Sequence, residues 1–170
     1  MNTLILLAGL PGSGKTTIAD ALAERLNWKV VHVDEFKREL MKKDPNANFL
    51  KEIVPASYQE VMRKLIERKE SELVVEELCN DRKFVEDVQD FCKKNGIGCR
   101  WFKIIRDKET ILHINVHNTR ERTVVNSPEI IDMLERQLEE IKIDGEVDIY
   151  NRTIDQSVDE ILSKLEHPTF

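Results

Sequence analysis

Residues Gly9 to Thr17 read Gly-Leu-Pro-Gly-Ser-Gly-Lys-Thr-Thr, and the first eight satisfy the spacing G-x-x-x-x-G-K-[ST]. Each residue type has a physical use at its place. Glycines permit backbone conformations that turn several N–H groups toward one point, where they attract an anion. A helix starting near Lys15 adds the positive end of its dipole. Lys15 brings a mobile charge for the β- and γ-phosphates, and the Thr16 hydroxyl is a hard oxygen ligand for Mg²⁺. The segment therefore predicts a cradle for a nucleoside triphosphate, ATP with Mg²⁺. Its candidate binding residues are Gly9, Pro11, Gly12, Ser13, Gly14, Lys15, Thr16 and Thr17, with Leu10 and Pro11 chiefly shaping the loop.

Phosphoryl transfer also needs carboxylates near the metal and the attacking oxygen. Asp34 stands where the apolar run Val30-Val31-His32-Val33 ends. It reads either as the group that orients and deprotonates an acceptor hydroxyl or as the N-cap of a following helix. Glu76 follows Leu73-Val74-Val75 and resembles a Walker B acid on the Mg²⁺ side; the alternative is a solvated pair with Glu77. Strand alternation points Glu77 away from Glu76. Lys37 and Arg38, one turn beyond Asp34, read as acceptor-binding cations or as solvated helix charges. Arg120 and Arg122 fall between two helical segments, where a mobile lid could bring them to the transferred phosphoryl group; otherwise they are solvated surface. His113 and His117, four apart, have no third metal ligand in view. Arg106 could pack on adenine or hold the lid. Tyr58, Arg63, Trp28 and Trp101 read as ordinary surface and core.

These residues must be positioned by alternating strands and helices, the pattern of an α/β fold with a parallel sheet. Leu4 to Ala8 is a strand, apolar throughout, as expected where both faces are covered. Lys15 to Leu26 is a helix with Ile18, Leu22 and Leu26 on one stripe. Lys29 to Val33 is the second strand, and a polar helical stretch runs from Asp34 to about Lys43. Ser57-Tyr58-Gln59-Glu60 reads as a capping box starting a helix. Leu73 to Val75 is the third strand, Asp81 to Lys94 a helix stopped by Gly96, and Cys99 to Ile105 the fourth strand. Asp107 to Asn126 is the least regular part. Ser127-Pro128-Glu129 starts a helix lined by Ile130, Ile131, Leu134, Leu138 and Ile141. Glu146 to Tyr150 is a fifth strand, and Asp155 caps the last helix.

The chain of 170 residues fits one domain, with 41% hydrophobic and 34% charged residues. A net charge of −6 argues against a broad basic surface for duplex nucleic acid. Three cysteines, Cys79, Cys92 and Cys99, without CxxC spacing, read as reduced thiols in a cytoplasmic protein. No apolar run reaches membrane-spanning length.

The motifs together resemble the small P-loop kinases of the nucleoside-monophosphate-kinase-like superfamily, especially the group that includes polynucleotide 5′-hydroxyl kinase domains. The likeness rests on the P-loop, on Asp34-Glu35-Phe36-Lys37 after the second strand, on the acid after Leu73 to Val75, and on His117-Asn118-Thr119-Arg120-Glu121-Arg122 before Ser127-Pro128. It implies a doubly wound five-stranded parallel sheet of order 2-3-1-4-5, helices on both faces, and a small helical lid at about 113–128 within a single domain of residues 1–170. It implies Asp34 as general base, Lys37 on an acceptor phosphate, and Arg120 and Arg122 on the ATP phosphates. The sequence departs from the group at Glu76-Glu77-Leu78, at His117 and at Lys37, where a lysine lacks the bidentate grip of arginine.

The reading that follows is an ATP-dependent kinase. Lys15, Asp34, Arg120 and Arg122 are its candidate catalytic residues, Thr16 and Glu76 its metal ligands, and Asp34, Lys37 and Arg38 its acceptor site. The acceptor is a hydroxyl of a nucleic acid, nucleotide, nucleoside or other small molecule. The alternatives are an ATP-hydrolysing switch and a degenerate kinase without an acceptor.

Overall fold

Thr3–Ala8 forms β1, buried at every position. It lies in the middle of the sheet, parallel to β3 (Glu72–Glu76) on one side and β4 (Gly98–Ile105) on the other. Outside these run β2 (Lys29–His32) and β5 (Gly145–Asp148), so the order is β2-β3-β1-β4-β5 with every pair parallel. This is the order the resemblance implied. The computed structural model describes residues 2–68, 72–117 and 127–166.

Alternation along β1 feeds two cores. Leu4, Leu6 and Ala8 enter one with Tyr58, Val61 and Leu65 of α3 (Val54–Arg68), Phe84, Val88 and Phe91 of α4 (Arg82–Asn95), and Ile131 and Leu138 of α6 (Pro128–Glu139). Ile5 and Leu7 enter the other with Ile18, Ala19 and Leu22 of α1 (Lys15–Leu26) and Val158 and Ile161 of α7 (Ile154–Glu166). Trp101 is buried in the first core, and Trp28 packs against the second. Two more helices among the described residues are α2 (Val33–Lys43) and α5 (Lys108–His117).

Several boundaries differ from expectation, each for a local reason. Ser57 does not start α3. The helix begins at Val54, after a π-helical turn at Phe49–Ile53 capped by Asn48, and the Ser57 hydroxyl donates back to the Val54 carbonyl at 2.7 Å. Pro55 is tolerated there because the first turn has no use for its missing N–H. Asp155 does not cap α7. Thr153 and Gln156 form that cap reciprocally, the Thr153 hydroxyl accepting from the Gln156 amide at 3.2 Å and Gln156 Oε1 accepting from the Thr153 amide at 2.9 Å. Part of the irregular segment is helical: α5 starts at the Asp107 carboxylate, which accepts from the Thr110 amide at 2.8 Å. Its apolar residues Ile111, Leu112 and Ile114 do not share one stripe, so no apolar periodicity announces the helix. The expected terminators at Asp81, Gly96 and Ser127 are in place. Of the lid expected at about 113–128, residues 118–126 lie outside the described residues.

Candidate active site

The P-loop spans the turn from β1 into α1. Gly9, Gly12 and Gly14 have φ of +154°, +85° and +88°, a region open to glycine and strained for other residues. Space is as restrictive as conformation. A Cβ on Gly9 would lie 2.7 Å from the Ile104 carbonyl oxygen, and one on Gly14 would lie 2.7 Å from Ile149 Cδ1. The Ser13 side chain is fully buried, and its hydroxyl has no hydrogen-bond partner among the described residues. An orphaned buried hydroxyl is costly unless a ligand completes it. Lys15, 9% exposed, donates to the Leu10 carbonyl at 3.3 Å and sits 3.6 Å from Glu76 Oε1. Thr16 and Thr17 are exposed on the first turn of α1.

Pairing of β2 with β3 sets His32 beside Glu76. His32 Nδ1 lies 3.1 Å from Glu76 Oε2, and its Nε2 lies 3.0 Å from Asp20 Oδ1. The hydrogen bond to Glu76, against the opposing effect of burial, lifts the imidazole above its ordinary value of 6.5. Sequence reasoning passed over His32. Its polar side chain amid the apolar run before Asp34 was the available signal.

Asp34 is not a cap. His32 occupies the N-cap position of α2, without a side-chain bond, and Asp34 lies inside the first turn. Its side chain is 55% exposed. Desolvation pushes its carboxyl up, but the charges of Lys37 and then Lys15 outweigh it and hold Asp34 below its ordinary value. Lys37, one turn on, donates to Asp34 Oδ1 at 3.0 Å and to both oxygens of Glu77 at 2.7 and 2.8 Å. Burial works against its charge, yet Glu77 and Asp34 raise the ammonium above its usual range. Glu77 is buried at the rim just past β3, where burial pushes its carboxyl up against the pull of Lys37. Tyr58 stacks on Phe84 with centroids 4.2 Å apart, and its ring centroid is 5.9 Å from Lys37 Nζ. Burial and the nearby Glu77 suppress ionisation of its hydroxyl.

The two adjacent glutamates thus divide their work. Glu76 faces Lys15 and His32, while Glu77 faces Lys37. The chain turns away just after them at Cys79, which is buried with φ of +59° and unusual for a residue with a side chain. Arg38 is exposed. Arg106 is half-buried and lines a cleft of about 260 Å³ with Leu10, Ile105 and Ile111. Arg63 pairs with Glu60 and Glu67 on the surface. His113 is exposed on α5, and Arg120 and Arg122 lie outside the described residues. Sequence reasoning also missed Asn115. This buried residue donates from Nδ2 to the Pro11 carbonyl at 2.8 Å and to the Ile111 carbonyl at 2.8 Å, tying α5 to the P-loop.

Comparison with known proteins bears on family and fold. The family model described as "AAA domain" matches residues 4–143. Human 6-phosphofructo-2-kinase/fructose-2,6-bisphosphatase 3 is 25% identical over 146 residues, covering 76% of this chain and 27% of the human protein. The chain thus spans 27% of the length of that relative. Among solved structures, a gluconokinase from Sinorhizobium meliloti superposes with a TM-score of 0.67 at 17% identity, over 97% of this chain and 92% of that one. The APS kinase of Mycobacterium tuberculosis, in complex with AMPPNP and APS, superposes with a TM-score of 0.67 at 12% identity, over 96% of this chain and 97% of that one. At these identities the structural likeness is one of fold.

Proposed function

The chain belongs to the AAA domain family and has the fold of small P-loop kinases, and from that premise we propose that it is an ATP-dependent kinase with a hydroxyl acceptor. One arrangement carries the reading. The buried ammonium of Lys15 and the orphaned hydroxyl of Ser13 meet at a loop of positive-φ glycines, and the ionised Asp34 shares the rim and feels the Lys15 charge.

The P-loop amides and Lys15 would hold the β- and γ-phosphates. Thr16 and Glu76 fit Mg²⁺, since both offer hard oxygens, and a Mg²⁺ ion that arrives with phosphates and water needs only one or two from the protein. When bound, the ion would offset charge on the phosphates. Asp34 would receive the acceptor's hydroxyl proton while that oxygen bonds to the γ-phosphorus and the bond to the β,γ-bridging oxygen breaks, releasing ADP. A base must be unprotonated to act, and the lowered value of Asp34 meets that condition. Arg120 and Arg122 would neutralise the transferred group from a lid at about 113–128 that excludes water, the competing acceptor. A cytoplasmic location, with its ATP, fits this reading; no helix among the described residues is long and apolar enough to cross a membrane.

The test separates binding from transfer. Asp34→Asn should retain ATP affinity by calorimetry while transfer falls by about 10²-fold or more. Lost ATP affinity with unchanged transfer would make Asp34 a metal or structural residue. ATP hydrolysis that runs at full rate whether or not a hydroxyl acceptor is present would favour a nucleotide-driven switch.

A further inference from the structure

The resemblance implies Lys37 as an acceptor-phosphate ligand, but its bonding leaves no room for that task. An ammonium group has three N–H donors. Those of Lys37 meet three acceptors within the protein: Glu77 Oε1 at 2.7 Å, Glu77 Oε2 at 2.8 Å and Asp34 Oδ1 at 3.0 Å. The Lys37 and Glu77 side chains are 7% and 2% exposed, so the pair is desolvated. A phosphate that drew Lys37 away would leave the Glu77 carboxylate buried without its counter-ion, a strongly unfavourable state.

Among the described residues, charge around this point also opposes an anion. Two carboxylates share one ammonium, leaving an excess of negative charge beside the Asp34 oxygens. The buried Tyr58 hydroxyl sits in the same field, with Glu77, Asp81 and Asp34 all acting on it. Besides Lys15 and Lys37, Arg38 is a cation whose charge reaches Asp34, with less effect than either, and it is exposed to screening solvent. Lys15 belongs to the nucleotide end.

We propose that the acceptor is an alcohol carrying no phosphate or carboxylate next to its reacting hydroxyl, either uncharged or amine-bearing, and that Glu77 sets this preference by keeping Lys37 as an internal counter-ion. The proposal rests on the kinase reading of the same site. Lys37 is then a positioning residue that holds the Asp34 carboxylate in place and ionised. Glu77, one residue past β3, decides whether that ammonium is free to meet a substrate anion.

The deciding measurement does not depend on turnover. Protein saturated with Mg²⁺ and AMPPNP, which blocks the P-loop, is titrated with inorganic phosphate and followed by ³¹P NMR. Wild-type protein should show no phosphate binding that Lys37→Met or Arg38→Ala abolishes. Glu77→Gln, which keeps the shape and removes the charge, should bind phosphate at least tenfold more tightly than wild type. Wild-type binding that either cation variant removes would overturn the proposal, as would a folded Glu77→Gln protein indistinguishable from wild type. Should Glu77→Gln or Lys37→Met fail to fold, the comparison of wild type with Arg38→Ala, whose side chain is exposed, still decides. A second measurement compares transfer to paired acceptors, adenosine with adenosine 3′-monophosphate and glucosamine with glucose 6-phosphate. In each pair the acceptor lacking phosphate should be favoured at least tenfold in kcat/KM, and the reverse preference would overturn the proposal. Transfer to no acceptor at all would defeat the kinase reading while leaving the phosphate titration to judge the charge argument.

Discussion

The two ends of the proposed site, one for nucleotide and one for acceptor, are made of different material. At the nucleotide end a contiguous run, Gly9 to Thr17, supplies backbone amides, three positive-φ glycines and one ammonium. At the acceptor end Asp34 and Lys37 come from α2, Glu77 from the rim past β3 and Tyr58 from α3, and they meet through side chains. A backbone cradle recognises what all nucleoside triphosphates share. A side-chain cluster can change its charge by single substitutions without disturbing that cradle. The division predicts that nucleotide binding and acceptor choice are separable properties of this fold.

The largest effect expected is at Lys15. Lys15→Ala should lower phosphoryl transfer by about 10²–10³-fold or more, and should weaken ATP affinity as well. Asp34→Asn should spare that affinity. Isothermal calorimetry with AMPPNP and Mg²⁺, set beside initial rates of transfer, reads both quantities. A loss of ATP affinity in Asp34→Asn as large as in Lys15→Ala would erase the boundary between the two ends. Thermal melting controls for the fold, since Glu76 keeps His32 as a partner when Lys15 is shortened.

The same division explains what could be read from the sequence. The P-loop was legible because its function depends on local conformation, which local residue types dictate. The strand order was legible only through the resemblance to small P-loop kinases, which the P-loop and the alternating α/β pattern carry. Asp34 was placed by the end of an apolar run, although the helix begins one residue earlier than expected, at Val33. The partnership of Lys37 with Glu77 was not legible, because it joins residues 40 apart and depends on how α2 packs beside β3. Alternation did separate Glu77 from Glu76, but it could not say what Glu77 would meet. Asn115 reaches across 104 residues to Pro11, and only the fold could reveal that contact.

An intermediate effect is expected at Lys37, and pH exposes it. The folded-state value of Asp34 is depressed, so its contribution to stability is present above its unfolded value and is lost as pH falls through the folded one. The value of Lys37 is raised, so its contribution is complete below its unfolded value and is lost as pH rises through the folded one. Both contributions are in force at neutral pH. Lys37→Met should lower kcat by about tenfold through misplacement of the base and should move the acid limb of kcat/KM upward. Lys37→Arg should restore part of that limb. An unmoved acid limb in Lys37→Met would mean that Lys37 only fills space, and the acceptor end would lose its electrostatic character.

The smallest effect tests whether the two ends are mechanically independent. Asn115→Ala removes the amide that α5 extends to the Pro11 carbonyl at 2.8 Å, leaving that carbonyl to water. A hydrogen bond of this kind contributes about 1 kcal/mol, so the KM for ATP should rise by roughly fivefold if the whole loss appears in loop geometry. The acceptor KM should stay where it is, because none of the Asn115 bonds to Pro11 and Ile111 reaches Asp34, Lys37 or Glu77. Steady-state kinetics with each substrate varied in turn distinguishes the cases. Should both constants rise together, the P-loop and the acceptor cluster would move as one body, and a substitution at either end would then be expected to alter both recognition steps.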